Sequence, residues 1–596
     1  MTKWRFLDMN LNFMKLREQM ENQKVSYYLV PSEDPHQSEY VDDYFKCRQY
    51  ISGFTGSAGT FLAGCEEGWL WTDGRYFTQA EGQISSDITL MKQGVSGVPT
   101  ILEFLKEHLQ EGDTLGVNGF TISASYGKKI AKLVKQHGAS FRFDLRFVEE
   151  LWAKDDRPAI TKSTIYRHDI KYSGEHTDSK LARVREKMKE LDANAFFLSS
   201  LPDIAWLFNL RGDDIACTPL FYSYAWITID KCFLFLRKDC ISAVAFQRFK
   251  EHGISILDYT EVSAFLKDQH ETVLLNPDLT NYLHYNLLFK CKIIEDKNPT
   301  ELMKAIKNDI QIDHLKACHI NDGIAMTKFM YWLKKNVGKI PMTERMISDH
   351  LEEERKKLPD YMGPSFETIC AYKDHAAMMH YQSTEESDVK AEGMLLIDSG
   401  GQYYGGTTDV TRTFILGPIS EEERKYFTLV LKSMLTLANA KFLFGCRGSN
   451  LDILAREPLW EDGVDYRCGT GHGVGYFLGV HEGPNAFRWR SNPENLDAVL
   501  QPGMVITDEP GVYVPGKYGI RTENMLICKK WQQNEYGAFL HFEPLTLVPI
   551  DLDGVDLSLF NEKEKQLLTD YQQFVYDTLS PHLNEEESAW LHTLTL

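Results

Sequence analysis

The chain has no C-x-x-C pair, and its 11 cysteines, an odd number, lie scattered along it. That pattern excludes a disulfide framework and reads as reduced thiols in a cytosolic protein. No run reaches the ~18 apolar residues of a membrane span. The opening stretch MTKWRFLDMNLNFMKLREQMENQ is mixed and charged, without the apolar core of a secretory signal. Positive charge is also short: 65 Lys and Arg stand against 85 Asp and Glu, a formal net charge of −20. A nucleic acid or an anionic membrane needs a basic footprint, so neither is expected as a partner. There is no low-complexity segment.

What is present is an ordinary globular composition, repeated. At ~100–200 residues per domain, 596 residues are too many for one core and imply three or four domains. LREQMENQKVSYYLVPSEDP (16–35) can be laid over VREKMKELDANAFFLSSLPDI (184–204). Each holds an amphipathic helix, an apolar strand and a turn with Ser, Pro and Asp, which predicts two tandem α/β domains of one type. The polar stretch 153–180 marks one boundary. The stretch 295–311 marks another, with Pro299 opening a new helical pattern and Glu301 in its first turn. From there the chain reads as a larger third domain, helical at both ends and strand-rich with many glycines between.

Two segments of that third domain repeat one arrangement of apolar strand, acid, glycine turn, strand and acid. GMLLIDSGGQYYGGTTDVTRTFI (393–415) carries Asp398 and Asp409, and GMVITDEPGVYVPGKYGIRTENMLIC (503–528) carries Glu509 and Glu523. If the runs of each segment pair as hairpins, their carboxylates can share a pocket; singly, each acid is equally readable as a turn residue. Between them lies GTGHGVGYFLGVHEGP (469–484), with His472 and His481 among glycines that disfavour a helix. Four crowded carboxylates repel and protonate unless cations neutralise them, and two divalent ions would balance four charges. An oxygen-rich set with one imidazole suits Mn²⁺, Zn²⁺, Co²⁺ or Fe²⁺ in a two-metal site.

With Asp398, Asp409 eleven residues on, the histidine of GTGHGVG, the glutamate of TDEPG and the glutamate of GIRTEN, the chain resembles the pita-bread dinuclear metallopeptidases. That family includes methionine aminopeptidase, prolidase and aminopeptidase P. The stretches YLVPSEDPHQSEY, FTGSAGT, TDGRYF, NLRGDD, HEGP and FEPLTLVPID make it most similar to the three-domain cytosolic Xaa-Pro aminopeptidases of that family, over nearly the whole length. The resemblance implies an α/β (α+β) fold: two creatinase-type α/β domains at 1–160 and 161–302, then a pita-bread catalytic domain at 303–596. It implies that Asp398 holds one metal, that His472 and Glu509 hold the other, and that Asp409 and Glu523 bridge the pair. A water or hydroxide between the ions would be the nucleophile and Glu509 its general base. His481 and His380 would hydrogen-bond the scissile carbonyl region, and Arg521 and Tyr513 would steady the bridging carboxylates. Without the resemblance, His380 reads as a core histidine beside Tyr381; for Arg521 the alternative is a surface strand residue.

The implied activity is release of the N-terminal residue from peptides with proline second. The X–Pro bond has no N–H, so a peptidase groove that relies on that N–H reads it poorly. The implied cofactor is a pair of divalent ions, Mn²⁺ by family expectation, with Zn²⁺ or Co²⁺ fitting the same ligands. The implied state is a homodimer in the cytoplasm. The alternatives are a prolidase restricted to X-Pro dipeptides and a non-catalytic peptide-binding member. The two extra N-terminal domains count against the first and the complete ligand set against the second. One departure stands out: Cys468 occupies the position, four before His472, where many relatives carry histidine. A thiol cannot replace imidazole as a strong donor.

Overall fold

The structure, a computed structural model, describes residues 10–242, 249, 252–490 and 497–595. It separates into two compact units, Met1–Arg167 with Glu175–Thr300, and His168–Gly174 with Glu301–Leu596.

The first unit contains the same sheet twice. Strands β1 (Tyr27–Pro31), β2 (Thr60–Ala63), β3 (Gly68–Thr72), β4 (Ile88–Lys92), β5 (Thr114–Val117) and β6 (Ser140–Arg142) order as β4-β3-β2-β1-β5-β6. Strands β7 (Ala195–Leu198), β8 (Ser223–Thr228), β9 (Cys232–Leu236), β10 (Ile254–Asp258), β11 (Thr272–Leu275) and β12 (Lys292–Glu295) order as β10-β9-β8-β7-β11-β12. The directions agree pair by pair: β1 and β7 each run antiparallel to the next strand in sequence and parallel to the fifth of their set. The helices that lead in are α1 (Leu11–Asn22) and α2 (Thr177–Glu190). They bury Phe13, Leu16 and Met20, and Leu181, Val184 and Met188, at the same spacing of three then four. One such side chain contributes about 1.5–3 kcal/mol on burial, so three on one stripe suffice to dock each helix. β1 and β7 are buried almost throughout, as central strands covered on both faces are.

Buried polar bonds tie the two sheets of this unit together. The carbonyl of Ser199 lies 2.8 Å from His36 Nδ1 and the Tyr259 hydroxyl 2.8 Å from Nε2. A carbonyl can only accept, so Nδ1 carries the proton and Nε2 accepts from Tyr259. The His36 ring lies 4.2 Å from that of Tyr224, and Asn281 Nδ2 donates to the carbonyl of Pro35 at 2.8 Å. Burial pushes the His36 imidazole down to about 3, which keeps it neutral.

The second unit is a helix-covered set of antiparallel sheets. Helix α3 (Pro299–Ala305) begins at the expected proline, and the long α4 (Asp309–Asn336) follows an Asn308–Gln311 capping box. α4 and α5 (Glu344–Lys356) pack on β13 (Ile369–Tyr372), β14 (Met394–Ser399) and β17 (Val410–Ile415) through Phe329, Met330, Ile347, Leu395 and Phe414. Between β14 and β17 the chain makes a separate hairpin, β15 (Gly401–Tyr403) and β16 (Gly406–Thr407). Strands β18 (Gly471–His472) and β19 (Ala486–Phe487) come next. The plan then recurs: β20 (Val505–Asp508) pairs with β23 (Asn524–Asn534), and β21 (Gly511–Val514) with β22 (Tyr518–Arg521) forms the excursion between them. So the strands of each segment do pair antiparallel, as expected. The glycine-rich break, read as a turn, is itself a hairpin.

The segment His168–Gly174 comes from the stretch read as a boundary, yet it is bound into this unit. His168 Nε2 lies 2.8 Å from the carbonyl of Tyr404. Tyr476 donates its hydroxyl to the carbonyl of Tyr172 at 2.9 Å, and Asn308 Nδ2 donates to that of Ser173 at 3.0 Å.

Candidate metal centre

Register brings the four acids together. β14 pairs with β17 so that Asp398 stands opposite Thr411, with Asp409 immediately before β17. β20 pairs with β23 so that Asp508 stands opposite Asn524, which leaves Glu509 just after one strand and Glu523 just before the other. Backbone bonds then join the two halves: Glu523 N–H donates to the carbonyl of Thr411 at 3.1 Å and Glu509 N–H to that of Thr470 at 2.8 Å.

The glycines around His472 exist for close approach. A Cβ on Gly471 would fall 1.9 Å from the carbonyl oxygen of Thr507, and one on Gly473 would fall 2.1 Å from that of Glu482. His472 N–H donates to Thr507 Oγ1 at 2.9 Å, and Nδ1 lies 3.0 Å from the carbonyl of Gly473. That carbonyl fixes the proton on Nδ1 and leaves Nε2 with its lone pair, the form a metal takes. Nε2 lies 3.5 Å from Asp409 Oδ2 and 3.4 Å from Glu509 Oε1. Asp409, His472 and Glu523 each offer a ligand atom within 4.8 Å of the others.

The electrostatics call for cations. Asp398 Oδ1 and Glu523 Oε1 are buried without a hydrogen-bond partner. Burial, with the charges of Asp398 and Glu509, holds the Asp409 carboxyl well above the usual range, and burial with Asp409, Glu509 and Asp398 does the same to Glu523. Burial and the Asp398 charge push Glu509 up to about 7, against the lowering effect of Arg521. Unmet acceptors of like charge are costly, and four carboxylates with one oriented imidazole are the donor set of two divalent ions. The residues present fit such a pair.

Family models match along the chain: Metallopeptidase family M24 at 313–530, the Creatinase/Prolidase N-terminal domain at 13–142 and again at 156–311, and the C-terminal region of peptidase M24 at 538–596. A probable Xaa-Pro aminopeptidase P of Paracoccidioides brasiliensis is 36% identical over 98% of both chains. Xaa-Pro aminopeptidase 1 of Dictyostelium discoideum is 35% identical over 97% of this chain and 95% of its own. The crystal structure of an X-prolyl aminopeptidase from Caenorhabditis elegans, described as a cytosolic enzyme with a di-nuclear active site, superposes with a TM-score of 0.93 at 33% identity, covering 98% of this chain and 99% of that one. The chain belongs to metallopeptidase family M24.

Other side chains of this M24 site depart from expectation in their partners. Arg521 donates from Nη2 to Asp398 Oδ2, from Nη1 to the Tyr513 hydroxyl at 2.6 Å and from Nε to Thr411 Oγ1 at 3.1 Å. So the side-chain hydrogen bonds of Arg521 go to Asp398, Tyr513 and Thr411, while its charge still favours the ionised form of Asp409. Arg521 grips Asp398, Tyr513 aligns Arg521, and Glu523 is reached through Thr411, which donates to Glu523 Oε2 at 2.8 Å. Thr411 was missed in the sequence, although it lies two residues after Asp409 and so on the same strand face. His481 meets His472 edge to face, with ring centroids 4.2 Å apart.

His380 is half-buried on the turn after Lys373–Ala377. Its flanks are held by Glu344, fully buried, which accepts from Tyr372 N–H at 2.7 Å and from the Tyr381 hydroxyl at 2.8 Å, and lies 2.8 Å from His375 Nδ1. Gly519 of β22 passes so near that a Cβ there would fall 1.8 Å from the carbonyl oxygen of Ala376. In sequence Glu344 is only the acid in the first turn of a helix. Cys468 is half-buried and packs in one cluster with Tyr466 and Tyr513, its carbonyl held by Arg456 Nη2 at 2.7 Å.

Proposed function

We infer that the chain is a metal-dependent aminopeptidase that releases the N-terminal residue from peptides with proline second. The observation that carries this reading is the grouping of Asp409, His472 and Glu523, with Glu509 3.4 Å from His472 Nε2 and the Asp398 charge felt by Asp409, in a chain that matches Xaa-Pro aminopeptidases over nearly its whole length. In this reading Asp398 would hold one cation, His472 and Glu509 would hold the other, and Asp409 and Glu523 would serve both. Two divalent cations, when bound, polarise the scissile carbonyl and bring the pKa of a water near neutrality. A carboxylate oxygen of Glu509 takes the proton of the attacking water. His481 and His380 donate to the carbonyl oxygen as its negative charge grows. Arg521, fixed by Tyr513 and Thr411, holds Asp398 in place.

Mn²⁺ is the proposed metal, with Zn²⁺ or Co²⁺ chemically compatible. A homodimer in the cytoplasm belongs to the same proposal; the absence, among the described residues, of a helix long and apolar enough to cross a membrane is compatible with it. So does a three-domain division at 1–160, 161–302 and 303–596, which the repeated sheet order supports. The test is hydrolysis with Mn²⁺. X-Pro-Y tripeptides and longer X-Pro peptides are expected to lose their first residue, and X-Ala peptides to stay intact. Cleavage of X-Pro dipeptides alone would make the chain a prolidase, and release of Met from Met-Ala peptides would make it a methionine aminopeptidase.

A further inference from the structure

Next to His481 lies a buried charged cluster that the chemistry described so far does not use. Glu482 Oε1 accepts from Lys307 Nζ at 2.6 Å, and Oε2 lies 3.4 Å from Lys304 Nζ. The exposures of the three side chains are 4%, 2% and 6%. Lys307 Nζ also donates to the carbonyl of Lys304 at 3.1 Å. A buried ion pair is weak support for stability, since well-packed apolar residues often do as well; in some proteins its contribution is instead a fixed geometry.

The geometry fixed here is that of the histidine corner. Glu482 N–H donates to the carbonyl of Gly473 at 2.8 Å, and Gly473 N–H donates to that of Asn485 at 2.9 Å. The Gly473 carbonyl is also the one beside His472 Nδ1. Asn485 Nδ2 reaches the carbonyl of Val505 at 2.9 Å, and Lys307 N–H bonds that of Gly503 at 2.9 Å. Three stretches of chain, 304–307, 473–485 and 503–505, are thus locked at one point, and His481, the residue before Glu482, lies within the second of them. With Glu482 held by the lysines, the His481 ring stands at 87° to that of His472.

We propose that Glu482, clamped between Lys304 and Lys307, is a positioning residue that sets His481 to donate to the carbonyl oxygen of the scissile X–Pro bond. The proposal rests on reading His481 as a substrate-facing histidine. An ångström of misplacement at such a group costs about 10²-fold in rate. Glu482→Gln is therefore expected to lower kcat on an X-Pro-Y tripeptide by about 10²-fold, with KM little changed and the metal content equal to that of the parent. The deciding measurement is a double-mutant cycle. In a His481→Ala background Glu482→Gln is expected to cost almost nothing more, because the group it positions is gone.

Full additivity of the two losses, or loss of metal from Glu482→Gln, overturns the proposal. Lys307→Arg, which keeps the charge but moves it, supplies the second arm if Glu482→Gln does not fold. A reduced kcat with full metal supports the clamp, and an unchanged kcat overturns it. Parental activity in His481→Ala alone overturns the reading of His481 and the proposal together. Loss in His481→Ala with additivity overturns only the clamp.

Discussion

The two units each bury a polar cluster built around histidine, and the two clusters differ in one respect. Around His36 both ring nitrogens are met, by a carbonyl and by a hydroxyl. The carboxylate nearby, Asp34, takes two backbone N–H bonds at 2.8 and 3.0 Å. Its other oxygen is unmet, and burial pushes the carboxyl up to about 6. Around His472 four carboxylates share one space, and Asp398 and Glu523 each keep an unmet oxygen. Burial alone does not mark a functional site, since both clusters are buried. Glu33 and Asp34 beside His36 each keep an unmet oxygen too, so what distinguishes the second cluster is four carboxylates crowded about one imidazole.

The largest effect should come from deleting a shared carboxylate. Asp409→Ala or Glu523→Ala is expected to lose metal and at least about 10³-fold in activity together, since on the proposed assignment each removes a charge that would serve both ions. Mass-spectrometric metal content decides, and two retained ions per chain would overturn the reading of that carboxylate as shared by both ions. Next, the two histidines of one glycine-rich stretch should separate. His472→Ala should come out metal-poor, whereas His481→Ala should keep its metal and lose about 10²–10³-fold in kcat. The reverse pattern would mean the stretch is assigned backwards.

Arg521→Lys sharpens the comparison further, because it keeps the charge but loses the fork that reaches Asp398, Tyr513 and Thr411 at once. A loss of about 10- to 100-fold in activity or metal affinity is expected, and metal titration with activity at saturation would separate the two. The smallest effect belongs to the His36 cluster. His36→Gln should leave kcat unchanged and cost about 1–3 kcal/mol of stability in the metal-free protein.

The pH dependence of that stability has a definite sign. The His36 imidazole sits at about 3 when folded and near 6.5 when not, so between those values the unfolded chain binds the extra proton. His36 therefore contributes stability above pH 6.5 and loses it on acidification, by about 1.4 kcal/mol per pH unit. Asp34, at about 6 folded against 3.8, works in the opposite direction over its own window. Denaturation midpoints between pH 7 and 4 should fall less steeply in His36→Gln than in the parent; equal slopes would show that this histidine is not held neutral.

Much of the centre was legible because its signals are local. The acids sit at strand ends beside glycine, the histidine sits among glycines, and the α1 and α2 stripes share one spacing. What stayed hidden depends on pairing over distance. Nothing in the period of residues 400–409 or 510–521 says that a turn holds a hairpin, because such short strands bury too little to show alternation. Arg521 was found, but its partner was not, since Asp398 and Asp409 are equally acidic in sequence and only register decides between them. Lys304 and Lys307, three apart near a helix end, look like any solvated helical face, and Glu482 looks like a loop charge.

The segment His168–Gly174 has a consequence for modularity. The chain enters the larger unit, leaves it and enters again at Glu301, so that unit is not contiguous in sequence. A fragment beginning at residue 301 lacks the carbonyls of Tyr172 and Ser173 that receive Tyr476 and Asn308, and no single cleavage frees the metal-binding half intact. During synthesis the segment emerges before everything it binds. The catalytic unit is completed by a piece of chain that must wait, through the making of a whole second sheet, for its partners to arrive.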